Sequence, residues 1–450
     1  MKVVKFGGSS LASTTQIKKV IDIIKKDKDR KFVIVSAPGK RDETDVKITD
    51  LLIVYYKSYV EGGDIKEVQQ EIIARFAATA KAFSLSLTFI EQLKERIFQL
   101  ALLSIEDNKY LYDAFLAQGE DLQARLLSEI LIQEGLEARY VNPKDAGIFV
   151  SDEPRSARIL SESYQILAQL NNINGIVVIP GFFGYTKKGD ICTFSRGGSD
   201  VTGAIVAAGI GANLYENFTD VDGIFSAHPG IVHKPQRVKE LTYREMRELA
   251  YAGFAVFHDE ALMPVFKAEI PIVIKNTNNP TYSGTTICNT RKLTDQSVVG
   301  IASNSGFVSI NITKFFMNRE VGFVRKILSI LEKFGIGFER MPSGIDDLSI
   351  IVRERFLTPE IEKMILQEIV EAVLPDEIYI ERDLSIIMIV GEGMKHSVGV
   401  TAAGSFALSS KKINLEMINQ GSSEVSVMFG IQKKQEKRAV RALYHAYFEE

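Results

Sequence analysis

Short β-branched apolar runs recur along the first 295 residues of this 450-residue chain, at Val3–Phe6, Phe32–Val35, Ile176–Ile179 and Ile270–Ile274. Gly, Pro or Ser bounds most of them. Runs this short, without polar alternation, suit strands buried on both faces, as in a parallel sheet. Between the first two, Ile17, Val20, Ile21 and Ile24 repeat at i, i+3, i+4 and i+7 with lysines opposite, which predicts an amphipathic helix. A long helical stretch with few breakers follows, from about Asp50 to Glu137. Such alternation predicts an α/β fold: an open, mostly parallel sheet with helices on both faces, taking its ligands at the carboxyl ends of the strands.

After about Thr294 the pattern changes to strand, helix, strand, strand, helix, strand, and it occurs twice. The stretch VSINITKFFMNREVGFVRKILSILEKFGI can be laid on LSIIMIVGEGMKHSVGVTAAGSFALSSKKI, which pairs Gly322 with Gly399 and, further on, Ser349 with Ser426 at the same offset. Two ferredoxin-like α+β units are predicted. The expected domains are 1–295, 296–380 and 381–450.

Composition narrows the function. Hydrophobic residues make up 46% and charged residues 25%, an ordinary globular balance, and the net charge of −3 gives no electrostatic case for nucleic acid or an anionic membrane. Two cysteines, Cys192 and Cys288, form neither a disulfide framework nor a metal cage and fit a reducing cytosol. No apolar run has the length of a membrane span, and no signal peptide opens the chain. The expectation is a soluble, cytoplasmic protein.

Three loops carry candidate chemistry. In VVKFGGSS, Lys5 ends a strand before Gly7, Gly8 and Ser9; the glycines admit a phosphate close to the backbone, and the following helix can present its N–H groups. The lysine precedes the glycines, the reverse of the G-x-x-x-x-G-K-[ST] order, so the stretch is either a phosphate site of another kind or a tight turn. FSRGGSDVTGAIVAAGIGA repeats the theme: a glycine turn opens a helix, Arg196 can grip a carboxylate bidentately, and Asp200 either caps the helix or orients lysines about a phosphoryl group. ENFTDVDGIFSAHP ends a strand in Thr219, Asp220 and Asp222, which either hold Mg²⁺ or ribose or simply form an Asp-rich turn. Lys275 closes another strand, either to reach phosphates or as a solvated strand end, Glu120 lies in mid-helix, either to pair with an ammonium or as a surface residue, and Ser36 and Thr49 supply hydroxyls.

Other chemistries lack their residues. No histidine pair has metal-ligand spacing, and there is no G-x-S-x-G elbow, no H-R-D or D-F-G set and no G-x-G-x-x-G after a strand.

Taken in order, KFGGSS, GFFG…TFSRGGSD, FTDVDGIF, ELAYAGFAVFHDEAL and IPIVIKNTNNP…GTTI resemble the signature blocks of the amino-acid kinase superfamily, and within it the aspartokinases. The repeated C-terminal unit resembles their tandem ACT domains. Ser9 stands where that family commonly has Thr, and Phe194–Ser195 where it commonly has Leu-Gly. The resemblance implies ATP- and Mg²⁺-dependent phosphorylation of the L-aspartate β-carboxylate, the first step toward lysine, threonine and methionine. It implies that Lys5 stabilises the transferring phosphoryl group and Asp200 organises that lysine. Gly7, Gly8 and Ser9 line the phosphate loop. Thr219, Asp220, Asp222 and Lys275 meet the nucleotide, with Mg²⁺ carried by ATP and no metal ligand directly assigned. Ser36, Thr49, Glu120, Arg196 and Ser199 form the aspartate site.

The ACT-like half implies feedback inhibition by an end-product amino acid in a homodimer or dimer of dimers. Met317, Asn318, Gly322, Glu339, Ser343 and Asp346 are the candidate effector contacts. Lysine is the expected inhibitor, since no dehydrogenase follows the ACT pair, with threonine as the other possibility.

Overall fold

The computed structural model describes residues 1–449 apart from Asp107, Arg196, Ala255, Val256, His258, Asp259, Glu260 and 293–296. Two compact units are present. One holds Met1–Ile224, Arg237–Met246 and the segment ending at Arg291; the other holds Phe225–Gln236, Arg247–Phe254 and the segment from Lys292 onward.

The first unit is built on an eight-stranded sheet. The first two apolar runs become β1 (Lys2–Phe6) and β2 (Arg30–Val35), joined through α1 (Thr14–Lys25). β3 (Ala138–Tyr140) and β4 (Ile176–Pro180) continue beyond β2. A hairpin of β5 (Phe183–Tyr185) and β6 (Ile191–Thr193) stands apart. β7 (Leu214–Thr219) lies on the other side of β1, followed by Ile272–Asn276, Thr285–Cys288 and Glu240–Thr242. Neighbours are parallel from β3 to Ile272–Asn276, and Thr285–Cys288 runs antiparallel to the latter.

The helical stretch between β2 and β3 is four helices rather than one: α2 (Ile48–Val60), α3 (Lys66–Ala82), α4 (Leu87–Gln99) and α5 (Leu111–Gln133). Gly62 and Ser84 adopt left-handed backbone at φ 70 and 56, which ends the first two. Ser86 opens α4 by accepting from the Phe89 amide. The apolar stripe Ile17, Val20, Ile21 and Ile24 packs against Val4, Val33 and Val35, as its spacing predicts. Each fully buried side chain of this kind contributes roughly 1.5–3 kcal/mol.

Sheet register decides which side chains can meet. Lys5 pairs with Asn217, while Lys275 pairs with Phe218, which itself pairs with Phe6. Side chains alternate across a strand, so Lys5 and Lys275 lie on opposite faces of the sheet.

The second unit holds a five-stranded antiparallel sheet in the order Asp347–Arg353, Gly300–Thr313, Glu377–Val390, Ser426–Gln432, Met417–Gln420. The sequence repeat appears in it as two lobes. Gly322 and Gly399 both take left-handed backbone, φ 81 and 88, directly before the helices Phe323–Lys333 and Val400–Ser410. Each lobe has its own apolar cluster, one around Ile310, Ile327 and Ile350, the other around Ile387, Leu408 and Phe429. The two strands Gly300–Thr313 and Glu377–Val390 pair along most of their length and run through both.

Candidate active site

A cleft of about 660 Å³ opens at the carboxyl ends of β1 and β2 in the first unit. Three chain segments form most of its wall, with Glu120 of α5 and Asp220 after β7 added to them. After β1, the chain turns at Gly7, and Gly8–Leu11 forms a short helical turn before α1 begins, capped by Ser13. The amides beside the glycines therefore come from that turn rather than from the start of α1. After β2, the Ser36–Thr49 segment folds back over it: Ser36 N–H donates to Phe6 O at 3.2 Å and Gly39 N–H to Gly8 O at 2.8 Å. A Cβ on Gly8 would lie 2.8 Å from Ala37 O and one on Gly39 2.8 Å from Gly8 C, so only glycines let these backbones touch.

The third segment is the helix Gly198–Ile210. Gly197 precedes it with left-handed backbone (φ 73), and no side chain caps its start. Asp200 is thus free of the capping role that its position in the sequence allowed. Its Oδ1 stands 2.6 Å from Lys5 Nζ and accepts from Asn217 Nδ2 at 2.8 Å. Lys5 itself is buried, 8% exposed.

Glu120 faces the same cleft from α5. It is buried, its Oε2 has no hydrogen-bond partner among the described residues, and burial pushes its carboxyl up to about 8 against the opposing Ala37 backbone and Lys5 charge. A carboxyl poised like this ionises when a cation arrives beside it.

The cleft brings together Lys5, Gly8, Ser9, Ser36, Thr49, Glu120, Ser199, Asp200 and Asp220. Gly7 lies just behind, a Cβ there falling 3.6 Å from Lys5 Nζ. Thr219 hydrogen-bonds to Asp220 at 3.1 Å. Asp222 is committed elsewhere: Asn276, Asn279 and Arg237 donate to it at 2.9, 3.3 and 2.7 Å, and the Asn276 amide above all holds its carboxyl below the usual range. Lys275 points to the other face and sits 3.5 Å from Glu216, which Arg30 also grips. Arg196 lies outside the described residues. Among the described residues no group of three or more His, Cys, Asp or Glu could hold a metal ion. Asp200 and Asp220 are the aspartates on the cleft wall, beside Glu120, whose carboxyl burial holds protonated up to about pH 8. Mg²⁺ commonly keeps its waters and takes one or two carboxylates plus substrate phosphates, a donor set these two can meet.

Several contributors escaped the sequence reading. Asn217 orients Asp200; its signal is a polar residue within the buried strand LYENFT. Asp113, two turns before Glu120 on α5, accepts from the amides of Thr193 (2.7 Å) and Arg155 (2.9 Å), and burial pushes its carboxyl up. It thereby anchors the end of β6, at Thr193. Ser10 hydrogen-bonds Thr277 at 2.7 Å, tying the phosphate turn to the loop after Lys275.

In the second unit, Asp346 accepts from the Phe316 amide at 2.7 Å, and this ties the 342–347 loop to the turn Met317–Arg319 that precedes Gly322. Met317, Asn318, Gly322 and Asp346 therefore share one end of a lobe. Ser343 bridges to Leu348 within the same loop. Glu339 faces differently, accepting from Arg353 Nε at 2.7 Å and from the Tyr251 hydroxyl.

Residues 1–276 match the amino acid kinase family, and residues 387–447 match the ACT domain. The chain is 50% identical to aspartokinase 3 of Bacillus subtilis (strain 168) over 448 residues, 100% of this chain and 99% of that protein. It is 25% identical to the lysine-sensitive aspartokinase 3 of Escherichia coli (strain K12) over 462 residues, 99% of both chains. The crystal structure of Clostridium acetobutylicum aspartate kinase superposes with a TM-score of 0.87 at 38% identity, covering 99% of this chain and 100% of that one. The structure of E. coli aspartokinase III in complex with aspartate and ADP shares the fold, with a TM-score of 0.80 at 23% identity over the whole of both chains. The chain belongs to the amino acid kinase family, in its aspartokinase branch with C-terminal ACT domains.

Proposed function

We propose that this protein is an aspartate kinase, transferring the γ-phosphoryl group of ATP to the β-carboxylate of L-aspartate to give 4-phospho-L-aspartate, at the head of lysine, threonine and methionine synthesis. The observation that carries the reading is the 2.6 Å contact of Lys5 with Asp200 in a cleft that also holds a buried Glu120 whose Oε2 has no hydrogen-bond partner among the described residues. Phosphoryl transfer asks little covalent chemistry of the protein; it needs two anions aligned and the charge on the moving group neutralised. Lys5 supplies a point charge at the place of transfer, and Asp200 and Asn217 fix its direction. Gly7, Gly8, Ser9, Thr219 and Asp220 lie about the polyphosphate. Mg²⁺, brought by ATP and met by Asp200 or Asp220, supplies further neutralisation of phosphate charge. Glu120 receives the substrate ammonium, with Ser36, Thr49 and Ser199 around the carboxylates and Arg196 as their proposed cationic partner. Asp222 acts on the nucleotide through the 276–279 loop it holds, and Lys275 through its ion pair with Glu216 in the sheet.

The assignment of 1–295 to catalysis and of 296–380 and 381–450 to two regulatory ACT domains belongs to the same proposal. So does inhibition by lysine, read at the lobe end formed by Met317, Asn318, Gly322, Ser343 and Asp346, with Glu339 linking Tyr251 to Arg353 instead. Pairing of two chains through the ACT domains and residence in the cytoplasm complete it; among the described residues no helix is long and apolar enough to cross a membrane.

The test is ATP consumption with acyl phosphate trapped by hydroxylamine, across L-aspartate, L-glutamate and carbamate, with each end-product amino acid added in turn. Hydroxamate with L-aspartate alone, suppressed by lysine, is expected. Activity with a different acid would replace the substrate, and no activity with any acid would leave a sensor rather than an enzyme.

A further inference from the structure

The wall of the cleft opposite Lys5 is the loop from Pro38 to Lys47, and it brings two lysines that none of the motifs explains. Lys40 and Lys47 both line the cleft. Both are exposed, and neither has an ion-pair partner among the described residues. Lys5, by contrast, is already matched by Asp200.

The loop is held from behind by one side chain. Arg75, on α3 and 9% exposed, donates through Nη2 to Gly39 O at 2.7 Å and through Nη1 to Val46 O. Those carbonyls belong to the residues directly before Lys40 and Lys47. Asp45 completes the brace, 3.3 Å from Arg75 and bonded to Arg41 Nε and Nη2 at 2.9 and 2.8 Å. Desolvating a guanidinium costs free energy, which a planar fork spanning two fixed carbonyls and a carboxylate offsets. The same front edge is welded to the phosphate turn by the Gly39–Gly8 contact.

We propose that Lys40 and Lys47 are anion-binding residues of this cleft, and that Arg75 is the positioning residue that presents them. Lys40, adjoining the Gly39–Gly8 contact, faces the polyphosphate; Lys47, two residues before Thr49, faces the dicarboxylate. Two unpaired cations at the mouth of a cleft attract and retain anionic reactants, and two anions cannot be brought together there without such charge. Only the identity of the anions rests on the proposed reaction; the basic lip itself does not.

The experiment is calorimetric titration of the full chain with Mg–ATP and with L-aspartate, recording turnover on the same samples. Lys40→Met is expected to weaken Mg–ATP about tenfold and Lys47→Met to weaken L-aspartate about tenfold, the scale of one lost charge-assisted contact. Arg75→Lys keeps the charge but cannot span both carbonyls. It should weaken both ligands with its lysines intact, and add nothing further in the Lys40→Met/Lys47→Met background. A double lysine variant that binds both ligands within twofold of wild type overturns the lip. An additional loss from Arg75→Lys in that background overturns the positioning role. Wild type that binds both ligands without turnover sinks the kinase reading alone, and wild type that binds neither overturns both.

Discussion

Asp200 Oδ1 stands 2.6 Å from Lys5 Nζ and takes a second hydrogen bond, at 2.8 Å, from Asn217 Nδ2. One carboxylate oxygen thus fixes a lysine from β1 against a neighbour on β7, and the lysine's remaining protons are left for a phosphoryl group. Lys5→Ala should lower kcat by at least about 10²-fold, as loss of one preorganised charge donor does. Asn217→Ala, which frees Asp200 without removing charge, should cost about tenfold. Both variants should unfold cooperatively with wild-type circular dichroism, measured beside steady-state rates.

Glu120 makes the site sensitive to pH. Burial raises its carboxyl to about 8 from an ordinary 4.5, so the folded chain holds this proton more tightly than the unfolded one. The stability associated with it is complete below about pH 4.5 and is lost as pH rises through about 8. Ligand-free Glu120→Gln should therefore keep, between about pH 4.5 and 8, stability that wild type loses over that interval. Binding of L-aspartate near neutral pH should release a proton as the ammonium draws the carboxyl into its ionised form. Calorimetry in buffers of different ionisation enthalpy measures it, and proton-free binding would contradict the assignment.

Gly8 and Gly39 touch backbone to backbone. A Cβ at Gly39 would lie 2.8 Å from Gly8 C and 2.9 Å from Gly8 O, neither of which can rotate away. Gly39→Ala should destabilise the chain by about 1–3 kcal/mol in denaturant titration and raise KM for ATP, because the two loops must part. Wild-type KM would show that the close approach is dispensable.

Gly322 and Gly399 test the repeat in the second unit. A Cβ meets only the Arg325 side chain, at 3.7 Å, at the first and nothing at the second, so substitution there costs strain rather than space. Gly322→Ala and Gly399→Ala should each cost about 1 kcal/mol, nearly equally, by thermal or denaturant unfolding. Strongly unequal costs would mean the two helix entries are not equivalent.

Much of the sheet was readable because β1, β2, β4 and Ile272–Asn276 carry short apolar runs, and the first loop of the cleft because β1 ends in Gly7 and Gly8. Burial explains what was not readable. Asn217 and Asp113 are polar residues inside apolar elements, whose partners lie in other elements: Asp200 in the helix Gly198–Ile210, and Thr193 at the end of β6 with Arg155. Lys275 ends a strand as Lys5 does, but only pairing register shows that it faces away. Asp222, which the sequence places with Asp220 in a stretch for Mg²⁺, ribose or an Asp-rich turn, accepts from Asn276, Asn279 and Arg237, partners no sequence pattern announces. The helical stretch is broken after α2 and α3 because Gly62 and Ser84 turn left-handed, and for Ser84 no residue type announces it.

The most direct test of the central claim is hydroxylamine trapping of acyl phosphate from ATP and L-aspartate by wild type and Lys5→Ala side by side. Wild type should give aspartyl hydroxamate in step with ADP, while Lys5→Ala still binds ADP and gives at most about 1% of the wild-type rate. A Lys5→Ala protein that turns over at the wild-type rate would contradict the account.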